Sequence, residues 1–95
     1  MVFAITEIVS ETEAVVAGGI TVCIAEEDEE KFWLPLNNDK KQWIDEYREQ
    51  TIAALPIFVG DTVVVRKDHD TYHIASVNLG EDDERHEIRE ALSRE

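Results

Sequence analysis

The sequence predicts a small, mainly β (α+β) protein: a five-stranded barrel that carries two helices. Three observations favour this fold class. Short runs rich in Val, Ile and Thr alternate with turn residues over 1–36 and 59–79. A stripe of apolar residues at spacings of three and four occupies 39–55. A charged helical segment follows at 81–93. With 95 residues, the chain forms one domain over 1–95, with a barrel at 1–80 and a terminal helix at 81–95.

The first third of the chain is predicted to form strands. Residues 2–9 and 14–17 are the first two, and Gly18-Gly19 permits a turn before the next. The run 20–25 alternates with period two, which places three apolar residues on one face: Ile20, Val22 and Ile24. Residues 31–36 form a further short strand, which Pro35 ends or confines to an edge because proline has no N–H to donate.

A helix is predicted at about 39–55. Its apolar stripe consists of Trp43, Ile44, Tyr47, Thr51 and Leu55. One of Asn37, Asn38 and Asp39 caps its first turn, and Pro56 ends it.

A β-hairpin and a second helix complete the chain. Residues 62–67 and 71–79 form the hairpin around a tight turn at 68–70. The terminal helix, at about 81–93, pairs Glu81 with Arg85 and Glu90 with Arg94 at spacing i,i+4. Its apolar stripe is narrow, so we expect the helix to lie at the surface as a docking element.

This order places a helix between the third and fourth strands of the barrel. That is the layout of the oligonucleotide/oligosaccharide-binding barrel. An SH3-like barrel is the alternative.

The charge balance excludes several classes of partner. The chain has 22 acidic and 9 basic residues and a net charge of −13. So acidic a surface repels nucleic acid and anionic membranes, and we expect neither as a direct ligand. No apolar run is long enough to span a membrane, and the N-terminus lacks the basic region of a secretory signal. The single cysteine, Cys23, cannot form an internal disulfide, which fits a cytoplasmic protein.

Several short motifs resemble a family of small bacterial and archaeal β-barrel domains of unknown function, some of which occur beside metallo-β-lactamase-fold hydrolases. The matching residues cover about half of the chain: Lys31–Leu36, Leu55-Pro56, Val59–Val63 and Glu81–Leu92. Residues 39–54 form a helical insertion where the family has a brief loop. The resemblance implies a small barrel with a helical tail and implies no catalytic residues.

The sequence predicts neither an enzyme nor a cofactor or metal site. Asp68, His69, Asp70 and His73 are the one compact set of metal-ligand types, but aspartates at a tight turn usually bond their own backbone. Cys23 lies in a strand without basic neighbours, which favours a buried packing role over a nucleophilic one. No nucleophile, phosphate-loop, dinucleotide or zinc motif is present.

We therefore expect a non-enzymatic, acidic protein-interaction module, monomeric or a small homo-oligomer, that binds a basic protein surface. Trp33, Trp43 and Tyr47 are candidate interface anchors. The candidate partner-binding residues form two acidic segments: Glu26, Glu27, Asp28, Glu29 and Glu30; and Glu81, Asp82, Asp83 and Glu84.

Two other interpretations of the acidity stay open. The protein could mimic nucleic acid and inhibit a DNA- or RNA-binding enzyme, of the anti-restriction or anti-CRISPR type. Its mean charge density is about a quarter of that of duplex DNA, so a mimic must gather its acids on one face. The acidity could instead be an adaptation to high salt.

Overall fold

The computed structural model describes residues 1–47 and 54–93, and it contains a barrel closed by five strands. In chain order the elements are β1 (Val2–Ile8), β2 (Glu13–Val16), β3 (Ile20–Cys23), β4 (Phe32–Trp33), α1 (Lys40–Tyr47), β5 (Leu55–Pro56), β6 (Thr62–Asp68), β7 (Thr71–Asn78) and α2 (Glu84–Ser93). The predicted small barrel with a C-terminal helix is confirmed.

The barrel strands follow the order β1–β2–β3–β7–β6, and β6 closes the barrel against β1. All neighbours are antiparallel except β3 and β7, which run parallel with Cys23 opposite His73. Helix α1 lies in sequence between the third and fourth barrel strands, as the predicted layout requires.

Alternation along the strands fills the barrel. Val22 and Ile24 are buried and Ile20 is half-buried, while Thr21 on the opposite face is exposed, as the period-two pattern predicts. Apart from Phe32 the core is aliphatic, and it consists of Ile5, Ala14, Val16, Val22, Ile24, Phe32, Leu34, Leu55, Ile57, Val63, Val65, Ile74 and Val77.

The predicted strand at 31–36 is shorter than expected and lies outside the barrel. Phe32 and Trp33 alone form β4, which pairs in parallel with β5. The N–H groups of Leu55 and Ile57 donate to the carbonyls of Lys31 and Trp33, at 2.8 and 2.9 Å. In a strand, the N–H groups of alternate residues point to the same side, so those of Leu55 and Ile57 face β4 and position 56 faces away from it. Pro56 therefore removes no hydrogen bond between these two strands.

The predicted helix at 39–55 is correct at its start and wrong at its end. The Oδ1 of Asp39 accepts the N–H of Gln42 at 2.9 Å and caps α1. Ile44 is buried, as its place in the stripe predicts. Residue 55 is strand rather than helix. The predicted stripe position Thr51 and the side chain of Tyr47 lie outside the described residues.

The terminal helix begins at Glu84, three residues later than predicted. Asp83 precedes it and accepts the N–H of Arg85 through Oδ1 at 2.9 Å. The predicted pair of Glu81 with Arg85 is wrong, because Arg85 points inward. Glu90 lies 3.1 Å from Nε2 of His86, and its predicted partner at position 94 is outside the described residues.

The β6–β7 hairpin is confirmed and is joined by a two-residue loop, His69-Asp70. His69 adopts the left-handed conformation, with φ 55°. In the described ranges, neither helix has the length and apolar character that crossing a membrane requires.

Candidate functional site

A buried arginine is the most highly connected side chain of the described structure. Only 1% of Arg85 is exposed. Its Nη1 donates to the carboxylate of Asp61 and to the carbonyl of Pro56, the latter at 3.0 Å. Its Nη2 donates to Asp61 and Asp83, both at 2.8 Å, and its Nε donates to Asp83 at 3.1 Å. These contacts use the full five-donor capacity of a guanidinium.

Two further groups complete this cluster. Nζ of Lys40 lies 3.2 Å from Asp83 and 3.8 Å from Asp61, so α1 supplies a second positive charge to the two carboxylates. The guanidinium carbon of Arg85 lies 5.5 Å from the ring centre of Phe58, within the range of cation–π attraction. The cluster therefore balances two negative with two positive charges.

The pKa values in the cluster reflect this pairing. Hydrogen bonds from the Arg85 side chain lower the pKa of Asp83 well below its usual range, although burial opposes the change. Burial alone would lower the pKa of Arg85, but hydrogen bonds to Asp83 and Asp61 outweigh it and raise that pKa. Both groups are thus held in their charged forms, which suits a structural ion pair.

The first acidic segment, residues 26–30, follows β3 as a single 3₁₀ turn and loop. Four of its five side chains are exposed: Glu26, Glu27, Glu29 and Glu30. Asp28 is half-buried and pairs with Lys31 at 3.3 Å. Glu27 lies 3.6 Å from Arg66 of β6, which places this segment beside the barrel wall.

The second acidic segment, residues 81–84, precedes and begins α2. Glu81, Asp82 and Glu84 are exposed. Asp83 differs from them, because its carboxylate binds Arg85 and Lys40 inside the cluster. Its contacts are therefore internal ones, whereas its neighbours face solvent.

Two of the predicted interface anchors lie together. The rings of Trp33 and Trp43 meet edge to face with centroids 6.1 Å apart, and Trp43 meets Phe58 in the same way at 6.3 Å. A surface cavity of about 370 Å³ opens beside the two tryptophans. Trp33 belongs to β4 and Trp43 belongs to α1, so the position of both elements determines this wall of the cavity.

Carboxylates surround this cavity. Glu11, Asp39 and Glu46 line it, and among the described residues no lysine or arginine does. Leu36 forms an apolar lip and is 64% exposed. The tryptophans were candidates in the sequence, and helical spacing places Asp39 and Glu46 beside Trp43 on α1, whereas Glu11 joins them only through the tertiary fold.

Cys23 lies next to a histidine on the neighbouring strand. Its Sγ is 3.3 Å from Nδ1 of His73 and 3.5 Å from the carbonyl oxygen of Tyr72. The side chain is half-buried rather than buried as predicted, because Cys23 faces away from the core on β3. Burial, and then the negative charge of Glu13, raise the pKa of the Cys23 thiol. The thiol is thus held in its protonated, less reactive form.

The four candidate metal-ligand residues of the hairpin are divided between different surroundings. The side chain of His69 is 95% exposed at the tip, 3.8 Å from Asp68. His73 lies instead beside Cys23. Within residues 1–47 and 54–93, no group of three or more His, Cys, Asp or Glu side chains has the geometry to hold a metal ion.

Comparisons with protein-family models, curated proteins and solved structures find no match to the chain. The resemblance to the small β-barrel domain family stays a prediction.

Proposed function

We propose that the protein is a non-enzymatic, acidic interaction module that binds the basic surface of another protein. The observation that carries this proposal is that several lysine and arginine side chains are already paired with acids of the same chain. In the described ranges, four basic side chains form ion pairs with acids of the same chain: Lys31, Lys40, Arg66 and Arg85.

The acids that remain are exposed. Among the described residues, the acidic side chains that are not exposed are Asp28, Asp61 and Asp83, and each of them pairs with a lysine or arginine. The exposed excess leaves a strongly negative surface at the two acidic segments. Such a surface accelerates encounter with a basic protein and repels nucleic acid.

A structural role accounts for the perturbed carboxylate, which supports the non-enzymatic part of the proposal. Asp83 is the described carboxylate with a lowered pKa, and Arg85 and Lys40 bind it. Functional sites often contain perturbed groups, but buried ion pairs produce the same signature.

The spread of the acids favours an interaction module over a mimic of nucleic acid. Asp68 and Asp70 lie at the tip of the β6–β7 hairpin, whereas Glu81 and Asp82 follow the far end of β7. Eight residues of strand separate the two ends by roughly 25 Å. Acids are therefore spread over both ends of this hairpin instead of being gathered at one place, which favours an interaction module.

Affinity capture tests the proposal. The wild-type chain is compared with a five-amide variant in the exposed acids: Glu26→Gln, Glu29→Gln, Glu30→Gln, Glu81→Gln and Asp82→Asn. Asp28, Asp83 and Glu27 are kept because they pair with Lys31, Arg85 and Arg66. We expect wild type to retain basic proteins from a lysate of the organism that makes it, and the variant to lose them. Unchanged capture by a folded variant would overturn the proposal.

A further inference from the structure

We propose that the cavity beside Trp33 and Trp43 receives an arginine side chain of the basic partner. This inference rests on the proposed function and names the contact that would give it specificity. The two acidic segments attract any cation at long range. They contain no aromatic side chain that could distinguish one kind of cation from another. The cavity combines negative charge with aromatic surface at one place.

The first argument is the chemistry of the walls. The faces of tryptophan attract cations more strongly than those of other aromatic residues, and arginine is the cation most often found on them. Trp33 and Trp43 are both half-buried and line the cavity, so both contribute surface to its wall. Their edge-to-face contact, with centroids 6.1 Å apart, fixes the two rings at an angle of 61°. A planar group can therefore pack on one ring while it meets the other.

The second argument is the charge of the rim. Glu11, Asp39 and Glu46 contribute three carboxylates to the lining, and the lining residues within 1–47 and 54–93 include no lysine or arginine. Asp39 Oδ1 accepts the backbone N–H of Gln42, and Glu46 Oε1 accepts its side-chain amide at 3.1 Å. These contacts involve neutral donors, so they position the carboxylates and leave their negative charge in place.

The third argument distinguishes arginine from lysine. A guanidinium is planar, stacks on aromatic rings and forms forked hydrogen bonds to a carboxylate, whereas an ammonium group is a compact and strongly hydrated charge. The exposed lip, Leu36, offers apolar surface for the aliphatic stem of the entering side chain. The volume of about 370 Å³ is at the lower end of the range for small-ligand sites, which suits one side chain rather than a large cofactor.

Intrinsic fluorescence provides a local test, because the sequence contains two tryptophans and both line the cavity. The full chain is titrated with N-acetyl-arginine amide, N-acetyl-lysine amide and N-acetyl-citrulline amide. Citrulline has nearly the shape of arginine but no charge. We expect a saturable change with arginine, weaker binding of lysine and no saturation with citrulline. Equal responses to arginine and citrulline would overturn the proposal.

A pair of variants with the same net charge locates the site. In Glu11→Gln/Glu46→Gln both changes are at exposed residues of the lining, and Asp39 is kept because it caps α1. We expect arginine to bind this variant about 3- to 10-fold more weakly, by analogy with the strength of exposed cation–π and ion-pair contacts. The matched control, Glu7→Gln/Glu87→Gln, removes two exposed charges outside the cavity lining and should bind as wild type does. Equal weakening in both variants would contradict the assignment.

The outcomes separate this inference from the proposed function. If the five-amide variant loses the captured partner while Glu11→Gln/Glu46→Gln retains it fully, the interaction module stands and the arginine cavity is wrong. If arginine binds the cavity but the five-amide variant still captures the same proteins, the cavity stands and the role of the acidic segments is wrong.

Discussion

The guanidinium of Arg85 and the carboxylate of Asp61 form a buried, two-pronged ion pair between helix α2 and the residue before β6. The β6–β7 hairpin lies between the two residues in sequence, so the pair connects α2 to the start of that hairpin. Asp61 also accepts the N–H of Phe58 at 2.7 Å, which links the same carboxylate to the turn before β6. The pair therefore fixes both the start of β6 and the position of α2.

Arg85→Met is expected to destabilise the fold by about 3–5 kcal/mol, because it leaves the buried carboxylate of Asp61 and the half-buried carboxylate of Asp83 without their main partner. Chemical denaturation at pH 7 measures the free energy of unfolding. Arg85→Lys should recover only part of the loss, since an ammonium group cannot reproduce the fork of five donors.

The matched control is Arg66→Met, which removes the same charge from a side chain that is 54% exposed and paired with an exposed Glu27. We expect its effect to be below about 1 kcal/mol. Similar effects of the two substitutions would show that the buried cluster contributes no more than a surface pair.

Asp83→Asn is expected to change how stability depends on pH. Hydrogen bonds from Arg85 lower the pKa of Asp83 in the folded state. A carboxyl group of this kind stabilises the fold above its unfolded-state pKa, about 3.9, and the stabilisation is lost as the pH falls towards the folded-state pKa. The gap in unfolding free energy between wild type and Asp83→Asn should therefore be constant from pH 6 to 8 and shrink below about pH 4.

Urea denaturation from pH 2.5 to 8 measures this gap. Asp82→Asn removes one charge from an exposed neighbour and controls for the general loss of negative charge. A gap for Asp83→Asn that is as large at pH 3 as at pH 7 would contradict the ionic role of this carboxylate.

Gly60→Ala is expected to destabilise the protein by about 1–2 kcal/mol, because Gly60 has φ 94°, where a Cβ is strained. The N–H of Gly60 donates to the carbonyl of Ile5 at 2.8 Å, so the backbone cannot relax without losing that bond. Thermal unfolding checks the effect. Gly80→Ala is the control, since a Cβ at Gly80 meets nothing within 4 Å and Gly80 does not have a positive φ; equal losses would place the cause elsewhere.

Cys23 is expected to react slowly with iodoacetamide at pH 7. Burial and Glu13 raise the pKa of its thiol, so the pH–rate profile should have its midpoint above the ordinary value of about 8.5. Glu13→Gln should move the midpoint down, while Glu7→Gln should leave it unchanged. A midpoint near or below pH 7 would instead indicate an activated thiolate.

The barrel could be predicted from the sequence because its signals are local. Alternation over 20–24 and the turn at 68–70 each specify a strand or a hairpin without reference to the rest of the chain. The cap at Asp39 could be predicted for the same reason.

The cluster around Arg85 could not be predicted, because it joins residues 24 positions apart. It also buries an arginine, a residue type that usually lies at the surface. In a helix with few apolar residues, Arg85 fits a solvent-facing pair with Glu81 as well as it fits an inward position. Strand β5, which contains Pro56, could not be predicted either, because its partner is a two-residue strand more than twenty positions earlier in the sequence. Of the acids around Trp33 and Trp43, Glu11 is likewise placed there only by the tertiary fold.

The most direct test of the interaction module compares two variants of equal charge for their rate of association with a captured basic partner. The first is the five-amide variant at Glu26, Glu29, Glu30, Glu81 and Asp82. The second has five amides at exposed acids elsewhere: Glu7, Glu13, Asp68, Asp70 and Glu87. At low salt we expect the first variant to associate at least about 10-fold more slowly than wild type, and the second to differ by less than about 3-fold. Equal slowing of both variants would contradict the assignment of binding to the two acidic segments.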